Sequence, residues 1–116
     1  MKESTALNSM QIILHAGDAR EATAKALNAL KKFDIDQARE CLKKADEEIV
    51  EAHKAQTVEL QREANGEQPE FTVLLTHAQD TCMTVNSEIN ITKNLIEIIE
   101  AIDVRLKKIE NSIGGD

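Results

Sequence analysis

The strongest constraint on this chain is how little interrupts it. One proline, Pro69, and four glycines, at 17, 66, 114 and 115, are all the strong helix breakers in 116 residues. Between them the sequence is rich in Ala, Glu, Lys, Leu and Ile, which are mostly good helix formers, and no alternating stretch long enough for a strand occurs. The reading is all-α. Two punctuation points divide it. At Lys32-Phe33-Asp34, the pairing of Asp34 with Gln37 reads as an N-cap with a capping-box partner. At Ala64-Asn65-Gly66-Glu67-Gln68-Pro69, Asn-Gly makes a turn and Pro69 suits the first turn of a new helix. This predicts three helices, over about 7–31, 35–63 and 70–112, with short connections and hence an up-down-up bundle in a single domain spanning 1–116. The segment before Leu7 and the C-terminal Gly114-Gly115-Asp116 read as frayed ends.

Periodicity assigns the faces. The second helix places Ile35, Ala38, Leu42, Ala45, Ile49, Ala52 and Gln56 on one stripe, in the three-four rhythm of a packed seam. The first is lined with Ala16, Ala19, Ala22, Ala26 and Ala29, small enough for close helix approach. The third carries one core stripe through Phe71, Leu75, Ala78, Cys82, Val85, Ile89, Ile96 and Ile99. A second stripe on another face runs through Val73, His77, Asp80, Thr84, Ser87, Ile91, Asn94, Ile98 and Ala101. From Ile91 to Ile109 the helix is close to apolar all round, which implies burial on several sides. Two readings follow: a wide core stripe, or self-association through the third helix. Asp80 within the second stripe is then either a surface residue or a metal or proton site on a symmetry axis, because carboxylates gathered there repel unless a cation or proton intervenes.

Charge and composition exclude several functions. With 14 basic and 21 acidic residues the formal net charge is −7. Nucleic acids and anionic membranes call for clustered Lys and Arg, and Phe33 and Phe71 alone give no set of rings for stacking bases. A protein partner fits better. No apolar stretch is long enough to span a bilayer, and the N-terminus has no secretory core, so the expected compartment is the cytoplasm. Cys41 and Cys82 read as small buried apolar residues.

The candidate chemistry lies in three histidines, one on each predicted helix. Imidazole titrates near neutral pH and is a good nucleophile. His77 and Asp80, three apart, share a helix face. Two ligands are too few for a metal site on their own, and the sequence holds no nucleophile elbow, Walker loop or dinucleotide fingerprint. His15 and His53 read as partly buried structural histidines.

Three segments then match a known pattern in order and spacing: His15-Ala16-Gly17-Asp18-Ala19-Arg20, Glu51-Ala52-His53-Lys54-Ala55-Gln56-Thr57, and Leu74-Leu75-Thr76-His77-Ala78-Gln79-Asp80 followed by Met83-Thr84. Together they resemble the lactose/cellobiose class of enzyme IIA proteins of the bacterial phosphoenolpyruvate-dependent sugar phosphotransferase system, over residues 7 to 112. The resemblance implies a phosphocarrier whose His77 takes a phosphoryl group, on the tele nitrogen, from the phosphohistidine protein HPr. His77 then passes it to a cysteine of the cognate IIB component, with the membrane component IIC involved only indirectly. It implies a homotrimeric nine-helix bundle, with Asp80 near the threefold axis sharing one divalent cation, typically magnesium. Gln79 is then the supporting donor for the phosphoryl group, and His53 a neighbour at the subunit boundary or, as the simpler reading, a structural hydrogen bond. Contact with partners is expected to be apolar around His77, with charges at the rim. Where many members read His-Ala-Gln-Asp-His-Leu-Met, this chain has Thr81 and Cys82, so no second imidazole assists there. A non-catalytic regulatory or structural protein of the same fold is the competing reading, against which the intact His77-to-Asp80 motif argues.

Overall fold

The computed structural model describes residues 3–67 and 72–114, which form three helices: α1 (Glu3–Lys31), α2 (Ile35–Ala64) and α3 (Val73–Ile113). The described residues contain no strand. Ion pairs between helices set the directions. His15 meets Glu48, so α1 and α2 are antiparallel; Arg20 meets Glu88, so α1 and α3 run parallel; Arg39 meets Glu100 and Lys93 meets Asp46, so α2 and α3 are antiparallel. The result is an up-down-up rod with extents of 71 × 20 × 18 Å.

Most of the predicted core stripes are buried; Ile12 and Leu30 join them without having been expected, and Leu75 is only half-buried. Ala16, Ala19, Ala22, Ala26 and Ala29 of α1, Ala38, Leu42, Ala45, Ile49 and Ala52 of α2, and Ala78, Cys82, Val85, Ile89 and Ile96 of α3 are buried together, with Ile35, Ile99 and Cys41 packed at the margin. Three buried hydroxyls are accommodated in this interior by bonding a carbonyl one turn back: Ser9 to Thr5, Thr23 to Ala19 and Thr92 to Glu88.

The boundaries differ from the sequence expectation in instructive ways. Residues 3–6, expected to fray, are helical: α1 starts at Glu3, and Thr5 and Ser9 are buried. The cap on α3 is Thr72, whose hydroxyl accepts from the Leu75 amide at 3.0 Å, so the helix starts at Val73 rather than at 70. Pro69 and Phe71, assigned to that helix, lie outside the described residues, as do Gly115 and Asp116. Asp34 caps α2 as expected, accepting from the Gln37 amide at 3.1 Å. The reciprocal half of the capping box is not formed. The Asp34 amide already donates to Ala29 O and the Phe33 amide to Leu30 O, closing α1 in a Schellman arrangement, and the Gln37 side chain turns to Cys41 Sγ instead. Phe33 occupies the left-handed position at φ 57°, where glycine is customary.

Candidate functional site

His77 stands exposed on the outer face of α3, four residues after the helix begins. Helical side chains lean toward the N-terminus, so its ring leans over the first turn, where Thr72 takes the Leu75 and Thr76 amides and those of Val73 and Leu74 precede the intrahelical ladder. That turn carries no acidic residue. An anion on the ring would meet the positive end of the helix dipole over that turn, with the Asp80 carboxylate one turn further on.

Asp80 follows one turn later on the same face and is also exposed. The exposed stripe continues through Thr84 and Ile91, with Val73 before His77. Val73 and Ile91 are 88% and 60% exposed, which for large aliphatic side chains marks a face without its covering in one chain. Beyond Ile91 the exposed apolar residues drift from the predicted positions Asn94 and Ala101 to Leu95 and Ile102. A 3.6-residue helix rotates steadily away from a strict seven-residue repeat, which accounts for the drift.

Within one chain the other candidates do not gather at His77. Gln79, two residues on, leaves the helix about 200° around its axis, so its amide is on the side facing α2. His53 reaches α3 on that same side, with Nδ1 at 3.9 Å from Cys82 Sγ, which agrees with its simpler reading as a link between helices. His15 is likewise structural: its Nδ1 is 2.9 Å from Glu48 Oε2, and this bond holds the Glu48 carboxyl below the usual carboxylate range. The three histidines therefore form no cluster, and among the described residues no group of three or more His, Cys, Asp or Glu could hold a metal within one chain. Burial pushes the Cys82 thiol up, so it stays protonated and is no nucleophile. The Thr81 hydroxyl, in the position where an imidazole was missing, donates to His77 O at 2.7 Å and is not free for a ligand.

Two features escaped the sequence reading. Arg20, the last residue of the first motif, clips α1 to α3 by a two-pronged pair, Nε to Glu88 Oε1 at 2.9 Å and Nη2 to Oε2 at 3.3 Å. Its partner lies 68 residues away, so no local pattern could reveal it. Gln56, assigned to the packed stripe of α2, has its Oε1 buried with no hydrogen-bond partner among the described residues. The antiparallel register that sets His53 against Cys82 brings Gln56 level with Gln79. Gly17 of the first motif is exposed in mid-helix, and a Cβ there would meet nothing within 4 Å, so nothing inside one chain requires glycine.

Comparison with known proteins bears on the family and the fold. Residues 7–100 match the family model of the phosphotransferase-system lactose/cellobiose-specific IIA subunit. The lactose-specific EIIA component of Lacticaseibacillus casei is 37% identical over 110 residues, covering 95% of each chain. The lichenan-specific phosphotransferase enzyme IIA component of Bacillus subtilis (strain 168) is 41% identical over 92 residues, 79% of this chain and 84% of that one. The crystal structure of the cellobiose-specific enzyme IIA from Bacillus anthracis superimposes with a TM-score of 0.84 at 35% identity, covering 90% of this chain and 95% of that one.

Proposed function

The chain belongs to the lactose/cellobiose-specific IIA family of the phosphotransferase system, whose members carry phosphoryl groups, and from that premise we propose that His77 is the residue that carries it. The observation that supports this most directly is the exposed imidazole over the acid-free first turn of α3. Phosphoryl transfer asks for positioning and charge stabilisation more than for covalent machinery. A neutral imidazole attacks the donor's phosphoryl phosphorus in line through its tele nitrogen while the other ring nitrogen keeps its proton. The donor imidazole leaves with the electron pair of the broken P–N bond. The phosphoryl charge then sits near the N-terminal amides of α3, an arrangement worth about 0.3–1 kcal/mol on an exposed helix. The donor is HPr and the acceptor a cysteine of the cognate IIB component, which in turn serves a lactose- or cellobiose-type sugar.

The working unit is a homotrimer joined along the exposed stripe of α3. Three copies cover Val73 and Ile91 and place three Asp80 carboxylates around the axis. Three carboxylate oxygens are half of an octahedral shell, which water completes, so the donor set suits a hard divalent cation such as magnesium. Such an ion would offset the mutual repulsion of the three carboxylates. Gln79, turned away from the His77 of its own chain, supports the phosphoryl group of a neighbouring one.

The test is intact mass after incubation with phosphoenolpyruvate, enzyme I and HPr. One acid-labile phosphoryl adduct is expected on the wild type and none on His77→Ala. An adduct that persists in His77→Ala moves the carrier to His15 or His53. No adduct on the wild type, with a competent HPr, removes the carrier reading altogether.

A further inference from the structure

Gln56 stands where a polar side chain needs a reason. It follows Ala38, Leu42, Ala45, Ile49 and Ala52 on the buried stripe of α2, and an apolar residue there would continue the core. Its Oε1 is instead buried with no hydrogen-bond partner among the described residues. A buried acceptor without a donor is costly and rare enough to demand an explanation.

The donors at this level of the bundle can be taken in turn. On α1, the Asn8 amide donates to Ala55 O and Glu59 Oε1, and the Ser9 hydroxyl donates to Thr5 O. On α3, Cys82 Sγ meets His53 Nδ1, and Thr76 is exposed on the outer face. Gln79 differs from all of these. It is half-buried on the α2 side of α3, level with Gln56 by the register that sets His53 against Cys82. Its amide nitrogen carries two protons at the end of a side chain that can turn.

The two ends of a glutamine amide have nearly the same shape and opposite polarity. Only the nitrogen end helps an incoming phosphoryl group, because the oxygen end repels it. Something must therefore choose the end. Gln56 Oε1 can only accept, so facing it selects the nitrogen of Gln79. One N–H then points inward, and the second, held in the same plane, is presented outward.

We propose that Gln56 is a positioning residue for phosphoryl transfer: its buried side-chain oxygen takes one N–H of Gln79 and so aims the other at the phosphoryl group. The inference rests on the role given to Gln79 above and deepens it. Gln56 touches neither the phosphoryl group nor His77. The bond joins two uncharged groups of one chain, so the donor is set before charge arrives, which is the condition under which such a donor is most effective.

The experiment follows transfer from phosphorylated HPr to the full chain by intact mass on quenched samples, over a range of HPr concentrations. Thermal melts set the assay temperature below the transition of the least stable variant. Gln56→Met keeps the length of the side chain and removes the acceptor. It is expected to lower the rate at saturating HPr by about three- to tenfold, the usual worth of one hydrogen bond, with little change in the half-saturating concentration. Gln79→Met is expected to cost more, roughly ten- to hundredfold, because a bond to a charged group is stronger. The double variant is expected to be no slower than Gln79→Met, since Gln56 acts only through Gln79. Side-chain amide NMR supplies a readout that packing alone would not move. One Gln79 amide proton is expected downfield and slow to exchange in the wild type and in Gln56→Glu, which keeps an accepting oxygen, and ordinary in Gln56→Met. Wild-type transfer by Gln56→Met, beside a slow Gln79→Met, overturns the positioning role and leaves Gln79 its own. Losses that multiply in the double variant also overturn it, because Gln56 would then act by itself. Wild-type transfer by Gln79→Met removes the role of Gln79 and this inference with it, while the adduct on His77 still judges the carrier.

Discussion

Residues on the outside of these helices divide into those that join helices and those that wait for a partner. His15 shows the first kind. Its bond to Glu48 ties α1 to α2, and the resulting depression of the Glu48 carboxyl has a definite sign. A carboxylate held below its unfolded value adds stability that is present above the ordinary carboxylate range. That stability is lost as pH falls through the lowered value. Glu48 and His15 are partly exposed, at 21% and 31%, so solvent screening keeps the effect to roughly 0.5–1 kcal/mol. Urea titrations at pH 7 should find Glu48→Gln less stable by that amount. The difference should fade toward pH 3, and a constant gap at both values would mean that packing, not charge, is lost. His77 shows the second kind. It stands out in the sequence because a motif carries the role proposed for it, and its exposed position follows from the helix phase. The same phase argument separates Gln79 from it, since two residues on a helix never face each other. Arg20 was legible as part of a motif but not as a clip, because its acceptor Glu88 is distant in sequence and adjacent only after folding.

Helices were the most legible level, since one proline and four glycines leave few places to stop. The alanines of α1 and the stripe of α2 all went where their spacing puts them. What the pattern missed were ends. Thr72 was available as a cap, yet Pro69 three residues earlier gave the louder start signal. At the other turn the pairing of Asp34 and Gln37 promised a reciprocal box, but the Asp34 amide was already committed to Ala29 O by the close of α1, which a local motif does not register. Asp34 consequently caps α2 without the reciprocal half of the box, its carboxylate accepting from the Gln37 amide and its carbonyl from the Ala38 amide. Replacing it by alanine is expected to cost about 1 kcal/mol, a usual loss for a cap. Gln37→Ala should cost much less, because its side chain contributes only a long contact to Cys41 Sγ at 3.5 Å. Denaturant midpoints of the two variants check the order, and a larger loss from Gln37→Ala would contradict this account of the turn.

At the scale of the molecule the governing fact is surplus apolar surface on one helix. A rod 71 Å long and 18 to 20 Å across buries its alanine-lined interior well, yet leaves a continuous face of α3 in water from Val73 to Ile113. Periodicity offered the second stripe of α3, from Val73 to Ala101, as a face for self-association, with a wide core stripe as the alternative. The drift from Asn94 and Ala101 to Leu95 and Ile102 became visible only once the core phase was set by Ile89 and Ile96. Asp80 is the one acid on the stripe from Val73 to Ile91, and its place there is testable. If three copies meet there, their carboxylates repel one another at short range, and relief comes from a cation or from protons. Asp80→Leu replaces that repulsion with apolar contact of similar reach. The variant is expected to sediment as a trimer at least as stable as the wild type. Magnesium should tighten wild-type assembly and leave the variant unaffected, while the mass adduct on His77 forms in both. A variant that still responds to magnesium would take Asp80 off the axis. A variant that dissociates would show that the carboxylate contributes more through a specific contact than it costs through repulsion, and the seam would need to be redrawn around it.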